Sequence, residues 1–299
     1  YGITYLELLF KTIERIYEIN KTAIDDTDLT LITTLFICLI ENYVGAIDSV
    51  VPLIIEKCVL MLSNNSERKT FPKILLQTIA MGIWYNPKLA LDHIEAKGYT
   101  QLVFGKMLQI LPKLTSDFEK KRMIFGLSAI FSLNPYELPG LVRANLNQIL
   151  KELVLLTTES ILFREKENLE DDGENKTAEE DAVQKAIDQV KAKFFKDESD
   201  EEEEEDEDED DDDEIYDAAE LYYTSPLEDE CEVLYLKNCL EVMKQKHPNE
   251  LQEIVNYLAP NEQSTLNVNF GKAEKLRVEF LNAKQQEREK TQQKAAPFQ

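Results

Sequence analysis

Apolar residues recur at helical spacing over the first 167 residues, and turn-forming residues cut the pattern at regular intervals. Leu6, Leu9, Ile13, Ile16 and Tyr17 make one stripe, ending near Asn20. Asp28 opens a second, Leu31, Leu35, Leu39 and Tyr43, with further apolar side chains between them. Asp48 precedes Val51, Leu53, Ile54, Ile55, Cys58, Val59 and Leu62, and Pro52 falls in the first turn, where its missing N–H is tolerated. After the polar break Ser63, Asn64, Asn65, Ser66 come Ile74, Leu75, Ile79, Ile83 and Trp84, halted at Asn86 and Pro87. A short segment with Leu89, Leu91 and Ile94 ends at Gly98, and Leu102, Met107, Leu108 and Leu111 follow. Asp117 is read as the cap of a helix carrying Met123, Ile124, Leu127, Ile130 and Phe131, which Asn134 and Pro135 stop. The last of the series runs from about Leu138 to Phe163.

Alternate helices start near residues 4, 47, 95 and 138, in steps of about 43 to 48. Helix pairs repeating every 40 to 47 residues or so characterise HEAT and armadillo solenoids. Several helices are apolar on more than one face, as expected of pairs sandwiched between neighbours. The competing reading is a globular helical bundle with coincidental spacing. Only 9 Gly and 10 Pro in 299 residues favour helices over sheets, which use glycine-rich turns.

From Glu165 to Thr177 the composition turns polar, and Thr177-x-x-Glu180 then forms a capping box for a helix with Val183, Ile187, Val190 and Phe194. Ser225, Pro226, Leu227 and Glu228 read as N-cap, first-turn proline and third-position acid of a helix continuing through Cys231, Leu234, Leu240 and Met243 to His247 and Pro248. Leu251, Ile254, Val255 and Leu258 mark a short helix ending at Ala259 and Pro260. The stretch from Lys272 to Lys294, thin in apolar residues apart from Leu276 and Phe280, reads as a solvated helix fraying into a tail.

Charge changes the picture at one place. The net charge is −25, and residues 197–217 hold 18 acidic side chains and no basic one. These are Asp197, Glu198, Asp200, Glu201, Glu202, Glu203, Glu204, Glu205, Asp206, Glu207, Asp208, Glu209, Asp210, Asp211, Asp212, Asp213, Glu214 and Asp217. Without them −7 is left on the other 278 residues, and residues 1–166 are neutral. Like charges at every position repel, so the run is expected to be extended and disordered when alone. A basic nucleic-acid binder is excluded as the first reading, because phosphate requires a cationic stripe. The run is either a solubilising loop or a polyanion that neutralises a very basic partner. Calcium would be held only weakly, for want of the fixed turn and glycine of a loop site. Ser199, among acidic neighbours, resembles a substrate of an acidophilic kinase.

Catalytic chemistry is not expected. His93 and His247 stand far apart with no convergent ligand set, and there is no phosphate loop or nucleophile motif; neither metal nor cofactor is called for. The Phe-Gly pairs at 104–105 and 125–126 lie inside apolar helices and read as core, and a third stands at 270–271. The apolar stretch from Leu31 to Ile40 is far short of the roughly 20 residues of a membrane span. Cys38, Cys58, Cys231 and Cys239 lack Cys-x-x-Cys spacing, which suits a reducing compartment. Tyr1, Gly2 and Ile3 lead straight into a helical pattern with no signal-peptide signature, as if the chain were the end of something longer.

The order of these parts resembles the C-terminal region of the importin-β (karyopherin-β) nuclear transport receptors, in the importin-7/importin-8 branch. The likeness is carried by Trp84-Tyr85-Asn86-Pro87 ending a helix, by the basic helix Phe118 to Ile130 with its Gly126-Leu127-x-Ala129 core, and by the acidic insert in the same order. Tyr222, Thr224, Ser225 and the acidic Glu228, Asp229 and Glu230 then lead into the helix around Tyr235, with Pro248 and Leu258 beyond. It spans most of residues 40–285; the segment 165–200 differs, and the final residues match loosely.

The fold expected is an all-α, HEAT-repeat alpha-alpha solenoid with a long disordered acidic insert. Its parts are helical repeats over 1–167, a linker and amphipathic helix over 168–196, the insert over 197–217, C-terminal helices over 218–285 and a polar tail over 286–299. The resemblance implies part of a nuclear import receptor that shuttles between cytoplasm and nucleus. Its implied partners are basic protein cargo such as histones and ribosomal proteins, FG-repeat nucleoporins, importin-β itself, and the small GTPase Ran through N-terminal repeats that this chain does not contain. Two other classes remain open: a HEAT scaffold such as a phosphatase regulatory subunit or coat component, and an acidic histone-chaperone-like protein.

Overall fold

The computed structural model describes residues 4–19, 26–64, 71–171 and 223–295. Their regular structure is entirely helical. The helices are α1 (Tyr5–Ile19), α2 (Asp26–Asn42), α3 (Val51–Asn64), α4 (Phe71–Tyr85), α5 (Pro87–Ala96), α6 (Thr100–Ile110), α7 (Asp117–Ala129), α8 (Gly140–Ala144), α9 (Leu146–Asp171), α10 (Glu232–Lys246), α11 (Pro248–Tyr257) and α12 (Pro260–Ala295). They fall into two compact units: one holds the residues up to Ala144 together with 223–230, the other those from Asn145 to Asp171 and from Cys231 onward. The capping box at Thr177, its helix and the acidic run lie outside the described residues. Among the described residues no helix is long and apolar enough to cross a membrane.

In the first unit α4 is the axis. It is buried from Ile74 to Ile83 without interruption, because α2, α3, α5, α6 and α7 all pack on it. α3 and α4 form a pair, and α2, α4 and α7 make a row of neighbouring helices, while α3, α5 and α6 follow one another beside it. This is the two-layer arrangement of HEAT repeats, in which each pair buries its faces against the next. Asn86 and Pro87, which end α4, also begin α5: the Asn86 side chain accepts from Leu89 N at 3.1 Å and Pro87 takes the first helical position. Gly98 then closes α5 at φ +72°, a conformation strained for any side chain.

The tightest contact is that of α4 with α7. A Cβ built on Gly126 would stand 2.4 Å from the Ala80 carbonyl oxygen and 2.6 Å from the Ala80 Cβ. Only glycine lets these two backbones approach so closely. Phe125 beside it is buried and meets Trp84 edge-on at 6.2 Å between centroids, so the Phe-Gly pair at 125–126 is packing, as is Phe104. Phe270 also packs, at the edge of the small core of Ile161, Val233 and Ala273 in the second unit. There α9 meets α11 and α12, and α10 meets the same two.

Several boundaries and faces differ from the sequence pattern. On α2 the row chosen there is only partly turned inward: Leu31 and Leu35 are 48% and 41% exposed, whereas Leu39 of that row and Ile32, Phe36, Ile37 and Ile40 beside it are buried. Both rows are apolar, and contact with α1 (Phe10 to Phe36, 6.1 Å between centroids) and with α4 selects the second. Ser116, not Asp117, caps α7. Its hydroxyl accepts from Glu119 N at 3.2 Å and Glu119 returns a bond to Ser116 N at 3.4 Å, leaving Asp117 as the first helical residue. The helix placed at Ser225 begins only at Glu232, after a pair of turns, so Cys231 is its N-cap and does not share the helix with Cys239. All four thiols are free. His93 is half-buried with Nε2 3.6 Å from Glu56, which also takes Lys97 Nζ at 2.9 Å. The final helix starts at Pro260 and runs 36 residues, about 54 Å at 1.5 Å per residue. Its exposed Phe280 lies beneath Arg277 and Lys284.

Replacing Gly126 with Val forces the α4 and α7 backbones apart and should lower unfolding free energy by about 2 kcal/mol or more. Gly105→Ala is the control: its Cβ meets only the end of Gln101 at 3.8 Å, and a helical Gly→Ala change should stabilise by up to about 1 kcal/mol. Urea denaturation of both variants reads the difference; equal midpoints would remove the close approach as a constraint.

Candidate functional site

Charge is buried along the row α2, α4, α7. Glu41 sits in the last turn of α2, at the end of its longest apolar run, and its side chain is wholly buried. Arg122 of α7 places Nε 3.5 Å from Glu41 Oε1 and is itself only 7% exposed. The guanidinium also donates to Gln77 Oε1 of α4 at 3.3 Å, and Gln77 Nε2 donates to Glu119 Oε1 at 3.1 Å. The Gln77 amide is therefore fixed in orientation, accepting from a cation on one side and donating to an anion on the other. Glu119 is the same residue that closes the capping box of α7, and its other oxygen accepts from Thr115 N at 3.0 Å. Carboxylate, guanidinium, amide and carboxylate form one ladder across three helices.

Onto the Glu41 end of this ladder docks the segment 223–230, the first described residues after the acidic run. Glu41 Oε2 accepts from the Tyr223 hydroxyl at 2.9 Å and from the Ser225 hydroxyl at 2.7 Å. Asn42 Nδ2 donates to the same Tyr223 oxygen at 2.7 Å. Lys121 Nζ of α7 donates to the Glu228 carbonyl at 2.8 Å, and Leu227 is buried as the apolar plug. Within the segment, Leu227 N donates back to Ser225 Oγ at 3.1 Å, and Glu228 N to the Ser225 carbonyl at 3.0 Å. Ser225 thus closes a turn and not a helix: its Oγ accepts from Leu227 N two residues on while its proton goes to Glu41. We call this segment the strap. Burial and then the Glu41 charge raise the Tyr223 hydroxyl well above the ordinary tyrosine range, and push the nearby Cys38 thiol up to about 11.

The second unit has its own buried charge. Glu232, the first residue of α10, is fully buried and takes bonds from Ser160 and Arg164 of α9. Asn269 of α12 donates to the hydroxyls of Thr157 and Thr158 of α9 at 3.2 and 2.9 Å. Lys272 reaches Glu165 at 2.7 Å.

The acidic candidates at 197–217, and Ser199 among them, lie outside the described residues. Sequence reasoning missed Glu41, Gln77, Arg122 and Tyr223. One signal was present: Gln77 is the single side-chain amide in a mostly apolar helix, which implies a buried partner.

No protein-family profile and no solved structure matches the chain. Two curated proteins do. A probable importin-7 homolog of Dictyostelium discoideum is 28% identical over 202 residues, 66% of this chain and 18% of that protein. An importin beta-like SAD2 homolog of Arabidopsis thaliana is 28% identical over 145 residues, 46% of this chain and 14% of that protein. By these matches the chain is similar to proteins of the importin-β superfamily. It aligns with less than a fifth of the length of either importin relative, and the helical pairs of its first unit agree with the repeat architecture of that superfamily.

Removing one partner of a buried ion pair leaves the other uncompensated, at roughly 3–5 kcal/mol. Arg122→Met should destabilise by that amount in urea, and the double change Glu41→Met with Arg122→Met should recover most of it. A second prediction concerns alkali. The docked Tyr223 keeps its proton above the ordinary value of 10.0, so the strap contributes fully below that pH and is lost as pH rises beyond it. Unfolding midpoints followed from about pH 8 to about pH 11 should fall, and Tyr223→Phe should flatten the fall; an unchanged slope would show that this hydroxyl is not the titrating group.

Proposed function

We propose that this chain is part of a nuclear import receptor that engages strongly basic protein cargo, histones and ribosomal proteins among the class, through residues 197–217. The observation that carries the reading is the docked strap. It anchors the chain at Tyr223, six residues after Asp217, on the row α2, α4, α7. Eighteen carboxylates tethered beside a helical surface raise their local concentration against a cationic partner, and complementary charge speeds encounter more than it slows departure. The importin relatives support the transport setting. Ran-GTP control, passage along FG-repeat nucleoporins, pairing with importin-β and shuttling between nucleus and cytoplasm complete the proposal for the whole receptor.

The test compares the chain with a form whose residues 197–217 are replaced by Ser and Gly, against a linker histone at two salt concentrations. Charges further apart than a Debye length of about 8 Å at physiological salt are screened. The replaced form should bind at least about tenfold more weakly at low salt, with the gap shrinking at high salt. Equal affinity at low salt would return the run to a solubilising role.

A further inference from the structure

Ser225 and Pro226 form the single Ser-Pro or Thr-Pro pair in the whole sequence, and the serine is the residue that latches the strap. Its hydroxyl lies 2.7 Å from the Glu41 carboxylate, in a site where Glu41 and Arg122 are both withdrawn from water. The residues around it are open: Thr224, Pro226, Glu228, Asp229 and Glu230 are all exposed, and only Ser225 and Leu227 are buried. A segment held by two buried side chains and a few hydrogen bonds opens locally at far lower cost than the helices beneath it.

We propose that Ser225 is a phosphorylation site for a proline-directed protein kinase, and that its phosphate holds the strap off the α2, α4, α7 row. In the opened strap Ser225 Oγ attacks the γ-phosphorus of ATP. The Oγ–P bond forms as the bond to the β,γ-bridging oxygen breaks, ADP leaves with that electron pair, and the hydroxyl proton passes to the kinase's base. The product cannot return to its seat. A hydroxyl that donated to Glu41 is replaced by a group of about −1.5 to −2 charge with acceptors only. It would face a buried carboxylate at hydrogen-bond range, with no proton to offer it. Arg122 does not rescue the phosphate, since its guanidinium is already engaged by Glu41 and Gln77. Ser225 also gives up the bond from Leu227 N that closes the turn, so plug and latch leave together. The consequence is a strap that undocks on modification, freeing the carboxyl-terminal end of the acidic run from its anchor.

The experiment treats the full chain with a recombinant proline-directed kinase and Mg-ATP, locates phosphate by tandem mass spectrometry, and follows amide hydrogen exchange. Ser225→Ala and Pro226→Ala serve as blanks. The expected result is phosphate at Ser225 in the unmutated chain, and none at this position in either blank. Glu41→Gln, which weakens the latch, should be modified several-fold faster. In the phosphorylated chain the amides of 223–230 should exchange at least about tenfold faster, with far-UV circular dichroism unchanged. Absence of phosphate at Ser225 in the unmutated chain would overturn the site. Phosphate there with exchange unchanged or slowed would overturn the release, and would mean that Arg122 receives the phosphate.

Discussion

Arg122 carries a charge almost wholly withdrawn from water, and much of the first unit is arranged to satisfy it. An unpaired buried guanidinium would oppose folding by several kcal/mol, so its partners must be supplied from elements far apart in sequence. Glu41 comes from the end of α2 and Gln77 from the middle of α4. Because Gln77 then leans on Glu119, the ladder reaches the N-terminal cap of α7 itself. Helix order, helix register and capping are coupled through one side chain. Apolar burial alone would hold three neighbouring helices together, but it is non-directional; the ladder admits only the register in which donors meet acceptors.

The same ladder explains why the chain returns to this surface after the acidic run. A carboxylate with one oxygen facing Arg122 has a second oxygen with lone pairs to fill, and Tyr223 and Ser225 fill them. The strap is short and contributes one buried apolar residue, Leu227. Its hold is therefore polar and local, which makes it sensitive to the protonation of a tyrosine and to the chemistry of a serine in a way that a hydrophobic clasp is not. Gly126 supplies the steric counterpart: α7 lies against α4 closely enough for Arg122 to reach Gln77 because nothing projects from position 126 toward Ala80.

Sequence periodicity determined the helical class, the chain's punctuation at Asn86, Gly98, Pro248 and Pro260, and the solitary acidic run, because these depend on local backbone chemistry and on charge counted residue by residue. The likeness to importin-β proteins was legible in the order of parts, and the two curated relatives agree with it. What periodicity could not decide was which of two apolar rows on α2 turns inward, since Leu31 and Leu35 are as oily as Ile32 and Phe36. Nor could it tell that Ser225, with proline next and glutamate third, would close a turn. By local rules it caps a helix; in the folded chain its hydroxyl is claimed by Glu41, 184 residues away. Only tertiary packing brings that carboxylate within reach, and with Lys121 holding the Glu228 carbonyl it keeps these residues in turns over α2 and α7 until α10 begins at Glu232, because hydrogen bonds to charged groups are the stronger ones.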